Sequence, residues 1–391
     1  MLKLATSKAV FSKNWDFPNR NIRLTGNPLT PDRLRKNLML LVKSASDLAP
    51  EGFGGYLFVG HERLSFPNSI SLPNEFSYLD NDDVIFADSE ANHVRSLFRA
   101  KVFHNSFLLT ERCNHYCVMC SQPPRDVDDG YLATNILNAI PLLPQYTRSL
   151  GLTGGEPTLL GDGLLDIIKA CKQHLPDTSL HILSNGTTFR DNDFAAKIAA
   201  IEHPDLMFGI PLYSNIPETH NFVVQSPNAW DSTIHGILNL KGNGVKVEVR
   251  VVLHKFTIPT LADLAKFLST NLLFVDQVAF MGLEATGFAK TNWNDLWIHP
   301  KEYQQELLEA VTTCTTRGMK ALVFNLPLCW LDPLIHRHAV KSISDWKNDY
   351  PDACNTCAAF TSCGGFFSSN LAKGATDELS PYTAATLPRF G

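Results

Sequence analysis

The chain has 391 residues, of which 44% are hydrophobic and 19% charged, and its formal net charge is −5. That length accommodates one barrel-sized domain of roughly 200 to 250 residues plus smaller appendages, and the composition argues against a disordered or fibrous class. Lys/Arg-rich runs and apolar runs of about 18 residues are both missing, so nucleic-acid and membrane partners are not expected. Because no sustained apolar stretch follows Met1, the expected location is cytoplasmic.

The first hundred residues read as a small α+β module. An amphipathic helix is expected over Pro31 to Ala45, with Leu34, Leu38, Leu41 and Val42 on one side. Short apolar runs follow at 56–59, 69–72 and 84–86, separated by Gly, Pro, Asn and Asp clusters that suit strand ends and turns.

From Asn105 onward, short apolar runs alternate with helical patterns, as in βαβ units built on a parallel sheet. Strands are expected at 106–110, 149–153, 180–183, 206–212, 245–253 and 274–281. Helices are expected at 132–143, 163–174, after Asp193, at 229–241, from Pro259 to Leu268, and at 300–317. Six repeats suit an α/β fold, a partial (β/α)6 TIM-type barrel, with the carboxyl ends of its strands on one rim. The boundaries expected are 1–100 for the N-terminal module, 101–318 for the barrel, 319–370 for a cysteine-rich extension, and 371–391 for a tail that frays.

Nine cysteines in a cytoplasmic chain point to metal or redox chemistry rather than disulfides. Cys113, Cys117 and Cys120 form a C-x3-C-x2-C loop after the first strand. Three thiolates can hold three irons of a [4Fe–4S] cluster and leave the fourth open to an outside ligand. Structural thiols, or a zinc site one ligand short, are the alternatives. Cys354, Cys357 and Cys363, with Cys329 upstream, supply four thiolates, enough to close a second [4Fe–4S] cluster or to bind structural zinc. Cys171 and Cys314 stand alone in helical patterns and read as core.

The remaining candidate motifs fall at strand ends. Gly154-Gly155-Glu156-Pro157 follows the second strand; its glycines permit close backbone approach and Glu156 offers acceptors for an ammonium. Ser184 and Asn185 follow the third strand, where a tight turn is the other reading. Ser214 follows the fourth, Arg250 lies in the fifth as a carboxylate partner or a rim ion pair, and Met281 is in the sixth. His115 and His254 offer themselves as general bases, but a lone His is more often a satisfied polar contact.

The cysteine loop together with Gly154–Pro157 resembles the radical S-adenosylmethionine (radical SAM) superfamily. The resemblance implies that S-adenosylmethionine binds the open iron through its amino and carboxylate groups. Gly154, Gly155, Glu156, Pro157, Ser184, Asn185, Ser214, Arg250 and Met281 are then its contacts. Many members carry an aromatic residue after the second cysteine; here Val118 stands there, and Tyr116 is the expected substitute. An electron delivered to the cluster would cleave the cofactor and yield a 5′-deoxyadenosyl radical that takes a hydrogen atom from substrate.

The C-terminal run C-x2-C-x5-C resembles the SPASM/twitch extensions of peptide-modifying members, although Phe367 stands where a further cysteine is usual. Residues 108–113, 120–124 and 282–288 look like the maturase of the His-Xaa-Ser repeat peptide system. That likeness implies a small precursor peptide as substrate, an electron donor such as flavodoxin or ferredoxin, and a second maturase as a further partner. Radical chemistry on a small molecule, or a non-enzymatic iron–sulfur or zinc protein, are the other functional readings.

Overall fold

The computed structural model describes residues 3–388 apart from 18–19, 45, 62–64, 342–347 and 377. Its centre is an all-parallel sheet of eight strands arranged in sequence order. These are β1 (His104–Leu108), β2 (Ser149–Thr153), β3 (Ser179–Leu183), β4 (Leu206–Pro211), β5 (Lys246–Leu253), β6 (Gln277–Gly282), β7 (Ala321–Phe324) and β8 (Ala339–Val340). Helices cross over between successive strands, as parallel pairing demands, and the sheet curves as a partial TIM-type barrel.

The sheet therefore runs on past the six strands read from sequence. The helix Gln304–Thr316 packs against Leu261–Asn271 and returns the chain to β7, where Phe280 of β6 pairs with Val323. The two-residue β8 then pairs Ala339 with Val323. Residues 319–340, assigned to the extension in the sequence reading, thus add two strands to the barrel sheet.

Leu152, Phe208, Val249 and Phe280 are fully buried in one core that joins strands and helices. Each large apolar side chain so buried stabilises the fold by about 1.5–3 kcal/mol. Cys171 and Cys314 belong to this core.

The N-terminal module is built on a mixed eight-stranded sheet. Its central strands Asn21–Thr25, Met39–Val42, Gly55–Val59 and Ser69–Leu72 are parallel, while His93–Phe98 and Val84–Asp88 pair antiparallel. The helix expected from Pro31 to Ala45 is reduced to one turn, Asp32–Arg35, and Ala45 lies outside the described residues. Leu38 to Val42 form a continuous apolar run, which periodicity alone does not distinguish from a strand covered on both faces. Met39 to Val42 are buried in that way, whereas Leu34 is 50% exposed.

Module and barrel share packing. Val84 and Phe98 enter the barrel core, Asn21 donates to the carbonyl of Asn135 at 2.6 Å, and Asp83 accepts the Ala100 N–H at 2.7 Å where the chain crosses over. No described helix is long and apolar enough to cross a membrane.

Candidate functional site

The three-cysteine loop leaves β1 at Thr110 and is fastened on both sides. Gly155 N–H donates to Thr110 O and Glu156 N–H to Arg112 O, each at 2.8 Å. A Cβ on Gly155 would lie 2.1 Å from Arg112 O, and one on Gly154, at φ +156°, 2.4 Å from Thr110 O. The glycine pair is thus required by the approach of two backbones. Farther along, Val118 N–H reaches Val223 O at 2.9 Å and Phe288 N–H reaches Cys120 O at 2.8 Å. Gly287, at φ +52°, could carry no Cβ without meeting that same Cys120 carbonyl at 2.4 Å, which gives a physical reason for glycine in the 282–288 segment.

Cys113, Cys117 and Cys120 line one cavity of about 260 Å³, and Gly154, Gly155, Ser184, Asn185, Arg250 and Met281 line it with them. Four other residues singled out in the sequence do not. Glu156 is fully buried behind the wall, where Oε1 accepts from Thr158 N, Thr158 Oγ1 and Ser184 Oγ, and Oε2 accepts Asn185 N at 2.6 Å. Pro157 is buried and opens the short helical turn beyond it. Ser214 is buried against Thr260, with its hydroxyl capping Ile216 N–H. Tyr116 is 53% exposed.

The aromatic residue that does line the cavity is Tyr213, which is buried and stacks on His220 at 5.8 Å. Its neighbour Ser214, the residue expected from sequence, is not part of the lining. The available signal for Tyr213 was its position just beyond the end of a strand.

Of the two roles expected for Arg250, the structure shows the ion pair. Its Nη1 pairs with Glu248 Oε1 at 2.8 Å, and its side chain also faces the cavity. Burial opposes ionisation of Glu248, yet Arg250, His181 and the Gln277 amide together hold its carboxyl below the usual range. Burial pushes the Cys113 thiol up to about 11 and raises Cys117 and Cys120 as well. Three thiolates here would require a compensating positive charge, such as a bound metal supplies, so metal binding and deprotonation would be coupled. His115 lines the cavity and is held neutral by burial, its pKa lowered to about 4; His254 is buried behind Tyr213.

A larger chamber of about 450 Å³ inside the barrel shares Arg250, Met281, Thr153 and Leu183 with this cavity. It extends past Gly151 to His104 and Ser106 on β1, and to Asn325 and Phe367 on the opposite side.

Cys329, Cys354, Cys357 and Cys363 line a second cavity, together with Tyr350, Phe360 and Tyr382. Leu328 and Gly365 point their N–H groups at Cys363 Sγ, each at 3.4 Å, and Tyr382 does the same to Cys357 Sγ at 3.3 Å. Burial, then the neighbouring thiols, raise Cys354 to about 11. Instead of fraying, the tail seats Leu379, Pro381 and Tyr382 against this site, while 389–391 lie outside the described residues. Among the described residues, no three His, Cys, Asp or Glu groups converge tightly enough to ligate one metal ion; each cysteine set surrounds a cavity.

The site is thus a three-cysteine loop and a glycine-backed cavity at the rim of a parallel half-barrel. Residues 107–268 match the family model of the radical SAM superfamily. No curated protein matches the chain in sequence.

Among solved structures, SuiB of Streptococcus suis bound to S-adenosylmethionine is similar at 15% identity and a TM-score of 0.46, covering 57% of this chain and 50% of that one. Native anSMEcpe with bound AdoMet is similar at 17% identity and 0.44, covering 56% and 62%. The methyltransferase TsrM of Kitasatospora setae is similar at 16% and 0.35, covering 46% and 36%. The chain spans less than two thirds of the length of each.

Proposed function

We propose that this enzyme modifies a small ribosomally made peptide of the His-Xaa-Ser repeat type. The observation that carries the reading is the second cysteine site: four thiols around one cavity, built onto the last strands of the barrel. The resemblance of segments 108–113, 120–124 and 282–288 to the corresponding maturase points the same way.

In this reading Cys113, Cys117 and Cys120 hold the first cluster and leave one iron for the cofactor. Bound there, the cluster and S-adenosylmethionine supply reductive cleavage and hydrogen-atom abstraction. Arg250 presents a cation to the cofactor carboxylate, Ser184 and Asn185 face its polar end, and Tyr213 and Met281 offer apolar surface to the adenosyl part. Met119, Leu183 and Val252 line the shared wall of both cavities and exclude water from the reacting bond. Cys329, Cys354, Cys357 and Cys363 hold a second [4Fe–4S] cluster, and a flavodoxin or ferredoxin supplies the electron.

The test is co-expression of a short His-Xaa-Ser repeat peptide, with and without the chain, followed by mass spectrometry. A mass change that vanishes with Cys117→Ala supports the reading. An unmodified peptide, with 5′-deoxyadenosine still released under reductant, shifts the assignment to a small-molecule substrate.

A further inference from the structure

A cleft of about 500 Å³ lies between the N-terminal module and the barrel, outside the cysteine cavity and the chamber. One wall is the strand His93–Phe98, and the opposite wall is β1 with the helix Gly130–Ala139. Among the described residues β1 pairs only with β2, so its other edge is unpartnered. Leu109 directs its N–H to Thr153 O. By alternation along a strand, Ser106 and Leu108 turn their amide and carbonyl groups outward, into the cleft.

Two further features distinguish this edge. Ser106 is exposed although it sits in the middle of a barrel strand, and His104 and Ser106 line both the cleft and the inner chamber. The edge is therefore a sill between an outer groove and the space that leads to Arg250 and Met281. The charged residues lining the cleft are Arg20, Arg95, Arg99 and Asp88, and Arg20 pairs with Asp88 at 3.2 Å and with Glu90 at 3.9 Å. Arg95 has no ion-pair partner among the described residues.

We propose that this cleft receives an extended, acidic segment of the substrate peptide, which adds as a strand to the free edge of β1 and passes over Ser106 into the chamber. The proposal rests on the peptide-substrate reading given above. Backbone pairing accounts for affinity with little demand on sequence, and Arg95 selects for an acidic side chain. The sill places the following residues of the peptide within the barrel.

The test uses the cluster-loaded protein and a synthetic His-Xaa-Ser repeat peptide with an acidic segment, labelled with fluorescein. Peptide binding is expected to slow amide exchange at Ser106 and Leu108. Ser106→Pro removes an outward N–H without touching the β2 ladder, where an edge strand tolerates proline, and should weaken binding at least tenfold by fluorescence anisotropy. Arg95→Glu should weaken it severalfold at low salt and less at high salt; this surface variant decides the matter if Ser106→Pro fails to hold its cluster. Unchanged exchange at both amides, with full affinity in Arg95→Glu and a peptide that is still modified, overturns the groove and leaves the peptide reading standing. A peptide that neither binds nor is modified overturns both.

Discussion

The Glu156 carboxylate accepts the backbone N–H of Asn185 at 2.6 Å, tying the end of β2 to the turn after β3. Three more donors, from Thr158 and Ser184, complete its shell. Glu156→Ala leaves those donors unpaired in a buried site and should cost about 2–4 kcal/mol, seen as a lower melting temperature, with Glu156→Gln falling between. If Glu156 instead serves mainly as an acceptor for the cofactor's ammonium, the melting temperature will stay put and only S-adenosylmethionine affinity will drop.

Gly155→Ala should displace the cysteine loop, because its Cβ would meet the Arg112 carbonyl at 2.1 Å. Iron retained at the first site is expected to fall by more than half. Gly242→Ala, at a helix end where a new Cβ meets nothing within 4 Å, serves as the neutral comparison. Equal iron in the two variants would contradict the contact.

The two cysteine sets are separate cavities, so their losses should be independent. With two four-iron clusters the parent holds roughly eight irons per chain, and Cys117→Ala and Cys357→Ala should each hold roughly four. Iron assay and electron paramagnetic resonance distinguish which cluster remains. Zinc recovered in place of iron in Cys117→Ala would identify the second site as structural zinc.

Asp83 supplies a pH-dependent contribution at the junction of module and barrel. Burial raises its carboxyl to about 6, against hydrogen bonds from the Ala100 and Asp80 amides. A folded-state value above the unfolded one means the stabilisation is full below about 4 and is lost as pH rises through about 6. Asp83→Asn cannot ionise, so its stability relative to the parent should improve by up to about 3 kcal/mol between pH 4 and 7.5. Thermal melts of both proteins at the two pH values check this, and a constant difference would refute it.

The sequence made the barrel readable because its strands alternate with helices of clear period; Ser149–Thr153 was placed to the residue. It could not reveal β8, two residues held only by the neighbouring strand. The role of Glu156 was hidden for a related reason: its partners Thr158, Ser184 and Asn185 meet it through tertiary folding. Tyr213 was overlooked because aromatic residues at strand ends are commonly core. The cysteine sets were legible because their close spacing in the chain already groups the thiols that line each cavity.

The chain contributes Cys329, returns to the sheet as β8, and only then contributes Cys354. Thread and knot are therefore the same piece of string: the cysteine-rich segment also hems the barrel. A shortened protein ending after the helix Gln304–Thr316 would not be a lean enzyme without an accessory. It would present β6 as a raw edge, with Phe280 and Val278 stripped of the residues that pair with them, and would be expected to aggregate rather than to work more slowly.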